Sequence, residues 1–245
     1  RATLFAGLAV ACLYLLATGR LGREAGGYLL AGIVAVDLWS VERSYWQFSP
    51  PASVIYAADE TVEYVRKQPQ PGRVMQILAS REAARDPFIT GDALMSHRVR
   101  TVLGYHGNEL GRFQRLGGMQ EQWRQRANPN FWHLLNVRYV LSDAEDLGLP
   151  TLKRVVGPVK NAYGTTVYLF EMPDENPAAW VTPVILKAPD DDVLATVLDP
   201  RFDVRRAALF DTGAAVAAVT VQALPEPLAV KATVSRLDPG AIDVE

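Results

Sequence analysis

Residues 2–19, ATLFAGLAVACLYLLATG, run 18 residues without a charge, and a polar break, RLGREAGG, leads to a second apolar stretch at 28–39, YLLAGIVAVDLW. A helix rises about 1.5 Å per residue, so about 20 apolar residues cross the hydrocarbon core of a bilayer. The first stretch nearly reaches that length alone, and the second reaches it with 25–27 and 40–41 included. Leu4, Phe5, Leu8, Val10, Leu13 and Leu16 cover every side of a helix, a pattern that leaves no aqueous face. The pair reads as a transmembrane helical hairpin over 1–41, the end of a polytopic membrane region. Two other readings stand beside it. Arg1 and the apolar run behind it imitate a secretory signal peptide, although a second apolar stretch follows within about ten residues. A buried hairpin of a soluble core is the other, with an uncharged run long for that role.

Orientation follows from the break. Arg20 and Arg23, offset in part by Glu24, mark a short loop of the kind that stays cytoplasmic. The second span then exits outward near Trp39, with Trp39, Tyr45 and Trp46 at the outer headgroup level, where amphipathic rings settle. Residues after about 40 are expected on the extracytoplasmic side of a bacterial cell membrane. Asp37 lies inside the second stretch. An ionisable group in a span suggests function, while its closeness to Trp39 suits a wet interface.

The chain has 245 residues with a formal charge of −2, which leaves no electrostatic case for nucleic acid. About 200 residues lie beyond the hairpin, enough for one sizeable domain. Cys12, the only cysteine, sits in the first apolar stretch, so the outer part holds no disulfide and no thiol chemistry. His97, His106 and His133 are too few and too scattered to spell a metal site. No phosphate-binding glycine loop, dinucleotide fingerprint, zinc-protease, serine-hydrolase or CxxC motif occurs.

Beyond a Pro-rich aromatic linker at 40–56, residues 58–68 read as a helix, with acids first and bases last. Residues 73–78 read as a buried strand, 80–100 as irregular and polar, and 101–104 as a short strand. A helix is expected over 110–126, weakened at Gly117 and Gly118, and another over 129–136 with Asn128 or Asn130 near its cap. Strands follow at 137–141, 152–156 and 165–171, then an edge strand at 179–186 interrupted by Pro183. A helix opened by three acids covers 190–198. From 214 onward valine-rich runs alternate like strands. The whole reads as a mixed α/β (α+β) extracytoplasmic domain over 42–212, followed by the start of a truncated β-rich segment over 213–245.

The order VDLW, GYHGNELGRFQRL, FWHLLNVRYVL, VYLFE and LDPRFDVRRAAL resembles the C-terminal portion of YfhO-type bacterial membrane proteins. The resemblance covers most of 30–210. Its most specific pieces are Leu135-Asn136-Val137-Arg138-Tyr139-Val140 and Gly104-Tyr105 with Asn108. The family is similar to GT-C glycosyltransferases, which use polyprenyl-phosphate sugars in cell-envelope glycosylation. The resemblance implies membrane lipid, a polyprenyl-phosphate sugar and a glycan acceptor as partners, and no cofactor. In such enzymes the catalytic acid sits in an early external loop that this chain does not contain, so no catalytic residue is carried over.

The candidate substrate-binding residues are Tyr105, His106, Asn108, Arg112 and, in the second span, Asp37. Around the first four lie Glu109 and Gln114. An aromatic face stacks on a pyranose, amides and carboxylates bind hydroxyls, and Arg pairs with phosphate oxygens. Asn108 and Glu109 equally suit a helix start. Phe131, Trp132, Leu134 and Leu135 read as core, Asn136 and Arg138 as structural, and Asp190–Asp192 as capping acids, not a cation site. The leading functional expectation is the extracytoplasmic part of a glycosyltransferase-like membrane protein. The alternative is a non-catalytic, membrane-tethered domain that binds a glycan or a partner protein, and a third is a pseudoenzyme scaffold.

Overall fold

The computed structural model describes residues 2–68, 72–104, 110–118, 124–173, 176–238 and 240–245. The chain divides into two compact units, Arg1–Pro51 and Ala52–Glu245.

The first unit is a pair of helices, α1 (Ala2–Ala17) and α2 (Arg23–Glu42). They meet where Gly26 faces Leu16: a Cβ on Gly26 would lie 2.3 Å from a Leu16 methyl carbon. The Cys12 thiol lies 3.7 Å from the Gly26 carbonyl oxygen. Cys12 and Gly26 are the buried residues of the two helices, while Leu4, Val10, Tyr28, Val34 and Leu38 are exposed. By length and composition α2 is able to cross a membrane, with 6% of its apolar window buried; α1, at 16 residues, is shorter. The relative lengths expected from sequence are thereby reversed. Thr18 bonds back to the Tyr14 carbonyl and Gly19 turns left-handed at φ +68°, ending α1 early. Arg23 and Glu24, read as part of the break, form the first turn of α2.

The second unit opens with a short turn of helix, α3 (Ala52–Ile55), and then α4 (Glu60–Lys67). Asp59 caps α4 by accepting from the Val62 amide at 2.9 Å. The chain then enters a four-stranded sheet built from β1 (Arg73–Ile77), β2 (Val137–Ser142), β3 (Lys153–Lys160) and β4 (Thr166–Glu171), in the order β1-β2-β4-β3. β1 runs parallel to β2, and the other neighbours are antiparallel. Gly157 in β3 is required: its φ is +113°, and a Cβ would come within 2.8 Å of the Val167 carbonyl oxygen.

Both faces of this sheet are covered, so its central strand lacks a polar face. Val74, Tyr139, Leu141, Val167 and Leu169 pack against Val62 and Val65 of α4 and against Phe88, Ile89 and Leu94. Met75, Val140 and Phe170 face the other way, onto Phe131, Trp132 and Leu135. Phe88 and Ile89 belong to α5 (Pro87–Thr90), flanked by short 3-10 turns at Glu82–Arg85 and Ala93–His97. The expectation of a polar, irregular 80–100 is corrected here: Ala83, Phe88, Ile89, Ala93, Leu94 and Val99 are apolar and buried. Asp86 holds the region inward, accepting from the Phe88 amide at 2.8 Å and the Asn161 amide at 2.6 Å.

On the opposite face lie α6 (Gly111–Gly117) and α7 (Pro129–Leu134). The single helix expected over 110–126 ends at Gly118, which is left-handed at φ +62°. Asn128 caps α7, accepting from the Asn130 and Phe131 amides, with Pro129 in the first turn.

A second, smaller parallel pair follows: β5 (Ile185–Ala188), α8 (Asp190–Leu198) and β6 (Ala208–Asp211). The edge strand expected at 179–186 reduces to β5, and residues 179–184 lie outside any sheet because Pro183 withholds an amide. β7 (Val234–Asp238) and β8 (Ala241–Val244) close the chain as a hairpin. Residues 214–233, expected as strands, join no sheet. The unit is a mixed α+β fold.

Candidate functional site

A cleft of about 1040 Å³ lies between α6 and α8. Arg112, Gln114 and Arg115 reach it from α6, Arg124 and Gln125 from the following turn, and Asp191, Leu198 and Asp199 from α8 and its end. Arg112 and Arg115 are three apart, so one helical face presents both. The carboxyl end of β6 brings Asp211 to the same place.

Arg112 donates to the Asp211 carboxylate at 2.9 Å and lies 3.8 Å from Asp190. Arg115 bridges Asp190 and Asp191. The hydrogen bond to Asp211, with the nearby charges of Asp190 and Asp211, pushes the Arg112 guanidinium above its ordinary value. The same bond, with the Gly213 amide, holds the Asp211 carboxyl below the usual carboxylate range. At the cleft's far end Asp199 is held down to about 2, chiefly by the Arg201 side chain and then by the Arg201 amide. Carboxyls held low stay ionised near neutral pH, so Asp199 and Asp211 are acceptors and partners for cations, not proton donors.

Asp190, Asp191 and Asp192 do occupy the first turn of α8, as a capping role requires, with Pro189 at the cap position itself. Asp190 and Asp191 also serve as the counter-charges of Arg115. Sequence reasoning missed that pairing and the part of Asp211. The signal available was the i, i+3 arginine pair; nothing local connects it to acids 75 and 99 residues away. Among the described residues no group of three or more His, Cys, Asp or Glu side chains is arranged to hold a metal ion.

No protein-family model, curated protein or solved structure matches the chain.

Of the residues singled out from sequence, Arg112 and Gln114 line the cleft. Tyr105, His106, Asn108 and Glu109 lie outside the described residues. Asp37 belongs to α2, in the first unit, where its backbone carbonyl accepts from the Ser40 hydroxyl at 2.7 Å. Phe131, Trp132 and Leu135 are buried. Asn136, left-handed at φ +54°, donates to the Asn176 carbonyl at 2.6 Å, and the Arg138 guanidinium lies 5.9 Å from the Tyr139 ring centroid. His133, half-buried, shares a 3.3 Å contact with the Asn176 side chain.

Proposed function

We propose that this chain is the membrane-proximal, extracytoplasmic part of an integral membrane, glycosyltransferase-like protein that uses a polyprenyl-phosphate sugar donor. One observation carries the membrane half of the reading: α1 and α2 bury Cys12 and Gly26 and leave most of their large apolar side chains exposed. In water that surface would drive association; in lipid it is solvated. The glycosyltransferase half rests on the resemblance around Gly104-Tyr105 and Leu135–Val140. The chain's own contribution is then to hold the acceptor just outside the membrane, with Arg112 at the edge of the α6–α8 cleft as a contact. Phosphate oxygens and sugar hydroxyls are the groups that paired Arg and Asp side chains recognise.

A second reading, a tethered domain that binds a glycan or a partner protein without catalysis, is favoured by the cleft's chemistry. Arg112 and Arg115 are paired with carboxylates, and Asp199 and Asp211 are held ionised. One experiment serves both. The protein in its native membrane is assayed for transfer from a polyprenyl-phosphate sugar and for extraction by alkaline carbonate. Retention in the membrane with transfer that falls in Arg112→Ala supports the first reading. Retention without transfer leaves the second. Release into the carbonate supernatant ends both.

A further inference from the structure

We infer that the groove between residues 177–181 and 227–232 docks an extended acidic peptide segment, which pairs as an added strand with the backbone of 227–232. The inference goes beyond the proposed membrane function and does not depend on it.

The groove has a volume of about 420 Å³ and is lined by Trp180, Val181, Arg205, Leu228, Val230 and Lys231. Its far wall is held at both ends. Arg206 donates to the carbonyl of Pro225 at 2.8 Å, and also to that of Leu224, fixing where the stretch begins. Thr233 and Glu245 exchange two backbone bonds of 2.8 Å, fixing where it enters β7. Between these anchors, no backbone amide of 228–232 and no backbone carbonyl of 227–232 has a hydrogen-bond partner among the described residues. The stretch is therefore pre-positioned, leads directly into a strand, and has open donors and acceptors. That is the condition for strand addition, in which backbone bonds bind and alternate side chains select.

The side chains indicate the occupant. Leu228 and Val230, two apart, are 44% and 59% exposed, so they offer apolar surface at strand spacing. The Trp180 ring is fixed by its indole N–H donating to the Val204 carbonyl at 3.1 Å, a rigid wall for an apolar side chain. Arg205 and Lys231 line the groove, and neither side chain has an acidic partner among the described residues; Glu226, beside them in sequence, is engaged by Arg206. Two cations with no counter-charge among the described residues, beside an apolar groove, complement a segment that alternates apolar and acidic residues.

The test uses the full chain in detergent micelles and a fluorescein-labelled peptide of alternating valine and glutamate, read by fluorescence anisotropy. The expected result is saturable binding below about 1 mM. It weakens about tenfold in Val230→Pro, which removes one open amide from a stretch bonded to nothing, and in the pair Arg205→Glu with Lys231→Glu. Circular dichroism identical to that of the parent shows that the variants fold; should the charge pair not fold, Val230→Pro decides alone. A peptide N-methylated at alternate residues keeps its side chains and is expected not to bind. No saturable binding, or equal binding of the N-methylated peptide, overturns the inference. So does displacement of the peptide by maltoheptaose, which would assign the groove to a glycan. Self-association of the chain abolished by Val230→Pro also overturns it, by making a second copy the occupant.

Discussion

Asn136 and Asn176, forty residues apart, tie the end of α7 to the segment that leaves β4. The Asn136 side-chain amide donates to the Asn176 carbonyl at 2.6 Å, and the Asn176 side-chain amide donates to the carbonyls of Trp132 at 2.9 Å and Val137 at 3.1 Å. Asn176 is 2% exposed. It satisfies a helix-end carbonyl and the carbonyl at the head of β2 together, at the junction where Asn136 turns the chain through a left-handed conformation.

Asn176→Ala should therefore destabilise the second unit by about 2–4 kcal/mol, since it strands two buried carbonyls. Asn136→Gly should cost less than Asn136→Ala, by about 1 kcal/mol, because glycine adopts the left-handed conformation without penalty and alanine does not. Urea unfolding followed by circular dichroism in detergent measures both. Equal losses for the two Asn136 variants would mean that the backbone conformation is unimportant there.

Leu16 and Gly26 make the helix pair testable through Cys12. Cys12 is 2% exposed and its thiol sits at the same contact, so its reaction with maleimide reports opening of the pair. Gly26→Leu should speed labelling at least about tenfold, since the added side chain meets Leu16 at sub-van-der-Waals distance. Leu16→Ala in the same chain should restore slow labelling. Unchanged labelling in Gly26→Leu would show that the helices are not held together at this point.

The parts of this fold that were legible in the sequence are those coded locally. Asn128-Pro129 announces α7, Asp59 with its acids first and bases last announces α4, and the apolar runs at 137–142 and 166–171 are strands within a residue of expectation. What was not legible depends on partners far along the chain. Phe88 and Ile89 sit among polar neighbours, and only the docking of that segment onto the sheet, through Asp86 and Asn161, makes them core. The valine-rich 214–233 has strand composition, but a strand also needs a neighbour in register along its length, and this stretch finds only isolated backbone bonds, Val219 to Ile185 of β5 and Thr233 to Glu245. In the cleft, residue type alone singles out Arg112, which lines it, whereas its partner Asp211 is brought up by the β5–α8–β6 crossover, which no local pattern reveals.

Asp143 carries a pH dependence. Burial raises its carboxyl, but hydrogen bonds from the Ser80 hydroxyl and the Ala79 and Ser80 amides, the last two at 2.8 Å, outweigh burial and leave it below the ordinary 3.8. A carboxyl lower in the folded than in the unfolded chain stabilises fully above its unfolded value, and that stability is lost as pH falls through the folded one. The urea midpoint should thus decline as the pH drops from about 5 toward 2, and Asp143→Asn should flatten part of that decline while lowering the midpoint at neutral pH. A variant whose decline matches the parent's would place the acid sensitivity elsewhere.

Arg112 separates a functional role from a structural one. Its side chain is 75% exposed and its ion pairs with Asp211 and Asp190 are solvated, so Arg112→Ala should leave the urea midpoint unchanged within error. The low Asp211 carboxyl should rise toward its ordinary value in the variant, because its largest cause is the hydrogen bond from Arg112. Carboxylate NMR titration follows that shift directly. Against this quiet structural background, a fall in sugar transfer or in glycan binding by Arg112→Ala reports recognition at the cleft, and Arg112→Lys distinguishes its form. Lysine keeps the charge but lacks the planar fork, so a phosphate gripped by two parallel bonds loses affinity with lysine nearly as much as with alanine. If Lys restores full activity, the cleft uses Arg112 as a positive charge and not as a two-pronged donor.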